Sequence, residues 1–247
     1  MTNLFLIRHG EAFANINQVV GGPRGDTGLT PRGVAQAERL RDRLAATREI
    51  AADVLLASTL PRARQTAEII APALGLPLTL DDDVQELRPG EADGLSFGEA
   101  IARYGMPDVD REPLRPVMPG GESWAQFVLR VCATLDRLTR AHEGRTLVVA
   151  THAGFIDGSF HHFFKMNALA SPGAYFSTHH ASLTHWQRRR RRNQTEGWHL
   201  VTYNDSAHLR DLDRSARIPW SELAEPPPEG SDAPAVPLPT EASKPGA

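Results

Sequence analysis

Residues 4–10 read LFLIRHG. Four apolar side chains, Leu4, Phe5, Leu6 and Ile7, run straight into Arg8, His9 and Gly10. An unbroken apolar run marks a strand covered on both faces, as in a parallel sheet flanked by helices. Residues 54–57 and 147–150 share this pattern. The spacing between the runs predicts amphipathic helices. Thr30 provides an N-cap and Pro31 a first helical residue, with Val34, Ala37, Leu40 and Leu44 on one face. Past Ser58, a second helix carries Ala63, Ala67, Ile70 and Leu74. A third follows GGES, where Ser123 and Gln126 form a capping box ahead of a Phe127, Val131, Leu135 and Leu138 stripe. The chain is thus expected to be α/β: a three-layer sandwich with a mostly parallel central sheet flanked by helices. Late in the chain, SLTHWQ and WHLVTYN read as a strand pair joined by RRRRRNQTEG.

Composition narrows the partners. The formal net charge of -3 over 247 residues gives no global attraction to nucleic acid or an anionic membrane. The single cysteine, Cys132, rules out an internal disulfide and suits a reducing compartment. It sits in an apolar helical pattern and reads as a small buried hydrophobe. No apolar run reaches the ~18 residues of a membrane span, and LFLI is too short for a signal-peptide core. A cytoplasmic location is expected. The patterned part, residues 1–210, reads as one catalytic domain. Residues 211–247, rich in Pro, Ala and acidic residues, read as a disordered tail.

Strand-end residues could carry chemistry. The first strand ends at Arg8-His9 and the strand LVVAT ends at His152. In open α/β sheets, ligands bind outside the carboxyl ends of strands. Arg62 opens the helix that follows VLLAS. An arginine there opposes the helix dipole, so a bound anion would explain it. Its guanidinium, with that of Arg8, matches phosphate oxygens. Several carboxylates could act as an acid: Asp81, Asp82, Asp83, Glu86, Glu91 and Asp93. Spacing alone does not choose among them. Residues 94–98, GLSFG, fit a nucleophile-elbow pattern, but no buried strand precedes them. The pairs His161-His162 and His179-His180 lack metal-ligand spacing, and no metal or cofactor is expected.

The ordered set of motifs resembles the histidine phosphatase (phosphoglycerate mutase-like) superfamily. LIRHGEAFAN, GDTGLTPRGVAQA, STLPRARQTA, ELRPGEADG, PGGES, VVATHAGFI and YNDSAHL all have family counterparts in this order. The resemblance implies a phosphoglycerate mutase-like fold. It implies His9 as a nucleophile that forms phosphohistidine, and Glu86 as the proton donor. Glu11 is a second, lesser candidate for the acid. Arg8, Arg62 and His152 would bind the phosphoryl oxygens, with Asn15 and Gly22 completing the substrate contacts. Mutases of the family keep a glutamate-arginine-x-tyrosine-glycine pattern around the acid. Here Glu86 is followed by Leu87, Arg88 and Pro89. The expectation is therefore a metal-independent phosphatase for a small phosphorylated metabolite. Two alternatives stand beside it: a phosphoglycerate mutase, and a non-catalytic binding protein that uses the arginine run at 188–192. That run otherwise reads as a solvated hairpin tip balanced by the acidic tail. Neither the particular substrate nor the oligomeric state follows from the sequence.

Overall fold

The computed structural model describes residues 1–169, 175–190 and 195–212. Six strands form one sheet: β1 (Thr2–Arg8), β2 (Val54–Ser58), β3 (Leu78–Asp81), β4 (Thr146–Thr151), β5 (Leu183–Arg190) and β6 (Glu196–Asp205). Their order is β3-β2-β4-β1-β5-β6. The first four are mutually parallel, while β5 and β6 are antiparallel additions beside β1. Among the described residues six helices accompany the strands: α1 (Phe13–Ile16), α2 (Pro31–Thr47), α3 (Pro61–Leu74), α4 (Phe97–Tyr104), α5 (Trp124–Ala141) and α6 (Ala153–Phe164).

Each face of the sheet buries its own core. Because side chains alternate along a strand, Leu4 and Leu6 of β1 and Leu147 and Val149 of β4 share one face. There they pack with Phe127, Val131 and Leu135 of α5 and Phe155 and Phe160 of α6. Ile7 and Val148 point the other way and meet Leu40 and Leu44 of α2 and Ile70 of α3. This is the three-layer sandwich expected from the unbroken apolar runs. The expected caps form as well. The Thr30 side chain accepts from the Gly33 N–H, and Ser123 and Gln126 make a reciprocal box.

Three expectations are corrected. Val34 is exposed; Gly33 and Gln36 face inward instead. The reason is backbone contact. A Cβ on Gly33 would collide with the Glu11 backbone, and one on Gly10 with the Gly33 carbonyl. Helix α2 therefore packs backbone against backbone on the loop after β1. The arginine run is not all hairpin tip, since Arg188 to Arg190 belong to β5. Arg188 is paired with Glu143 and Glu196, at 3.2 and 2.9 Å, so acids of the domain itself balance it. Arg191 and Arg192 lie outside the described residues, as does the stretch 213–247 on which the disordered-tail expectation falls. Finally, Cys132 is only partly buried. Among the described residues, no helix is long and apolar enough to cross a membrane.

The glycine contact yields a test. Gly33→Ala should cost about 3 kcal/mol, because the neighbouring atoms are backbone and cannot rotate away. For a domain of this size that lowers Tm by about 6–12 °C, measurable by calorimetry.

Candidate active site

Strand register places the histidines. In the β1–β4 pairing Arg8 lies opposite Thr151, so His9 and His152 are the next residues along two neighbouring strands. The His9 N–H donates to the Thr151 carbonyl at 2.9 Å, and the two rings lie 5.2 Å apart. Both are buried, at 3% and 0% exposure. Burial, then the neighbouring cations, holds each imidazole well below its ordinary pKa. Both are neutral at pH 7.

The hydrogen bonds fix the tautomer of His9. His9 Nδ1 lies 2.7 Å from the Gly10 carbonyl oxygen, which only accepts, so Nδ1 carries the proton. Nε2 then keeps its lone pair, and the Arg62 Nε–H donates to it at 3.0 Å. At His152, Nε2 meets Ser58 Oγ at 2.8 Å. Ser58 Oγ also accepts from the Leu60 N–H, and we assign its own proton to His152 Nε2. That assignment leaves His152 Nδ1 protonated. This atom is buried and has no hydrogen-bond partner.

The arginines differ in their anchoring. Arg62 begins α3 and is 5% exposed. It donates to Asp26 at 2.9 Å and to the Gly21 carbonyl at 2.7 Å, so it reaches His9 preoriented. Asp26 is itself held by the Gly28 and Arg62 N–H groups. Breaking an ion pair this buried costs about 3–5 kcal/mol, since one charge is stranded. Arg8 donates to the Thr178 carbonyl, and its buried Nε has no partner. Burial lowers the Arg8 pKa, while Glu86 and Asp157 hold it up.

Glu86 lines the same cavity as Arg8, His9, Asn15 and Arg62. One carboxylate oxygen accepts from the Leu87 N–H at 3.0 Å, and the other from the Gly154 N–H at 3.1 Å. The second donor belongs to the first turn of α6, where a helix favours negative charge. The other candidate acids are engaged elsewhere. Asp81 and Asp83 pair with Arg137, Asp82 accepts from Thr59, Glu91 from Tyr104, and Asp93 from the Arg24 and Gly25 N–H groups. Glu11 accepts from Thr30 and Arg32 at the start of α2. Gly21, rather than Gly22, lines the cavity. A side chain at Gly22 would strike Asp93. Ser96, in the elbow-like GLSFG, is the N-cap of α4 and pairs with Glu99. No group of three or more metal-ligating side chains occurs among the described residues.

Sequence reasoning missed four contributors. Asp26 and Ser58 stood inside quoted motifs but carried no assigned role. His180 was weighed only as half of a metal pair. Its ring lies 5.6 Å from His9 and its buried Nε2 has no partner. Asp157 on α6 had no sequence signal. Burial, with repulsion from Glu86, pushes its carboxyl up to about 7.

Two neutral imidazoles and two guanidiniums thus stand at the carboxyl ends of parallel strands in an α/β protein, beside one carboxylate. The model of the histidine phosphatase superfamily (branch 1) matches residues 4–205, and the chain belongs to that superfamily. Named relatives include phosphoglycerate mutases and a phosphatase. A 2,3-bisphosphoglycerate-dependent phosphoglycerate mutase of Methylobacterium is 36% identical over 60% of this chain and 74% of its own. A bifunctional protein of Mycobacterium tuberculosis is 36% identical over 61% of this chain, which spans only 41% of that relative. Among solved structures, a mycobacterial glucosyl-3-phosphoglycerate phosphatase superposes with a TM-score of 0.67 at 23% identity, covering 82% of this chain and 98% of its own. The YhfR protein of Bacillus stearothermophilus does so with a TM-score of 0.67 at 25% identity, covering 85% and 100%.

The buried histidines make stability sensitive to acid. Burial, then the nearby cations, holds His180 down at about 3, below its unfolded value of about 6.5. Between these values the unfolded chain binds the proton and the folded chain does not, so folding stability falls as pH falls below about 6.5. His180→Asn removes that contribution. Its stability should decline less steeply than that of the parent, by about 1.4 kcal/mol per pH unit between pH 6 and 4 in urea titrations.

Proposed function

We propose that the chain hydrolyses phosphomonoesters through a phosphohistidine at His9, with no metal in the reaction. One observation carries the reading: His9 is neutral and buried, its Nδ1–H is tied to the Gly10 carbonyl, and its Nε2 lone pair meets Arg62. In-line phosphoryl transfer needs a fixed nucleophile, charge neutralisation and a proton for the leaving oxygen. The ester phosphate takes the Arg62 Nε–H from His9 Nε2, which frees the lone pair for attack. Arg8, Arg62 and the His152 Nδ1–H bind the three equatorial oxygens, where charge grows in the transition state. Glu86 receives the proton of the monoanionic ester and passes it to the departing alkoxide. Water then attacks the phosphohistidine, Glu86 takes that water's proton, and inorganic phosphate leaves. Asn15 accepts from the Ala12 N–H and offers its amide N–H groups to the substrate. The resulting activity is that of a histidine-type phosphatase.

The mutase alternative requires a site for a second anionic group. The cations lining the cavity among the described residues are Arg8 and Arg62, both used by the transferred phosphoryl group. The binding-protein alternative is disfavoured by the complete constellation and by the ion pairs of Arg188.

Turnover of an aryl phosphate should persist in EDTA. His9→Ala should abolish it together with the acid-labile phosphoenzyme. Arg62→Ala should lower kcat about 10²–10³-fold, as for loss of one transition-state donor. Glu86→Gln should lower kcat for alkyl esters about 10²–10⁴-fold through loss of acid–base catalysis. Full activity of His9→Ala in a steady-state assay sinks the proposal.

A further inference from the structure

We infer that the preferred substrate is a phosphomonoester whose alcohol carries a bulky apolar body, such as a medium alkyl chain or fused aromatic ring. This inference rests on the phosphatase reading. The cavity beside His9 has a volume of about 610 Å³, far more than a phosphoryl group fills. Its polar side chains are those already used for the phosphoryl chemistry: Arg8, His9, Asn15, Arg62 and Glu86. The remaining wall is apolar and includes Val20, Leu87, Phe97, Ile101, Met106 and Met118.

Helix α4 supplies much of this wall. Phe97, Ala100 and Ile101 recur at helical spacing and turn one face to the cavity. The Ser96–Glu99 capping box fixes where the helix starts and hence which face that is. Phe97, Ile101 and Met106 are 51%, 41% and 75% exposed, so three large apolar side chains border the cavity only partly covered. A ligand with an apolar body would cover them. A sugar or glycerate would instead set hydroxyl or carboxylate groups against walls whose side chains offer no partner, and burying such groups unpaired is unfavourable.

The test uses ethyl, butyl, hexyl and octyl phosphate, whose alcohols have similar acidity and so hold the chemistry constant. kcat/KM should rise about two- to fourfold per methylene until the cavity is filled. Phe97→Ser/Ile101→Ser alters two partly exposed positions and should reduce the octyl-to-ethyl ratio of kcat/KM by about tenfold, and Met106→Ser should reduce it about threefold. A flat or falling series, a preference for 3-phosphoglycerate over octyl phosphate, or ratios unchanged in both variants would overturn the apolar assignment while leaving the phosphatase reading standing. Absence of turnover on every ester, with no phosphate on His9, would overturn both.

Discussion

His9 Nδ1 lies 2.7 Å from the Gly10 carbonyl, and the proposed chemistry depends on that contact. An imidazole has two nitrogens, and only the unprotonated one can attack. Tying Nδ1–H to the backbone leaves the lone pair on Nε2 and holds the ring still. The Gly10 carbonyl can do this because its residue is itself pinned. The Gly10 N–H donates to Thr66 at 3.0 Å, the Glu11 N–H to Gln36 at 2.8 Å, and Gly33 packs directly against the Glu11 backbone. The second and third sequence motifs thus serve the first: α2 and α3 hold the loop that orients His9.

The same packing sets the electrostatics. Four cationic or potentially cationic groups, Arg8, His9, Arg62 and His152, converge at the strand ends. Their mutual repulsion, added to burial, keeps both imidazoles neutral, which suits His9 for attack and His152 for donating one proton. Arg62 is offset by Asp26, while Arg8 faces Glu86 and Asp157. A phosphate dianion would relieve the remaining repulsion, so the site is preorganised for an anion rather than for a neutral ligand.

Much of the fold was legible because burial on both faces leaves a plain mark. Leu4 to Ile7 and the runs at 54–57 and 147–150 became the three central strands, and Thr30 and Ser123 became caps. Val34 was misread because apolar spacing cannot register a helix that packs through glycine. At the site, His9, His152 and Arg62 were legible from their places at strand and helix ends. Glu86 was legible only through the family resemblance, because six nearby acids look alike by spacing until the Gly154 N–H and the cavity wall distinguish one. Asp26 and Ser58 act through contacts 36 and 94 residues away in sequence, which no local pattern displays.

Phosphorus-31 NMR of phosphoenzyme trapped at alkaline pH tests the central claim most directly. The account predicts one phosphoramidate signal from phosphate on Nε2 of His9, absent in His9→Ala. A signal from Nδ1-phosphohistidine, or phosphate carried by any other side chain, would contradict it.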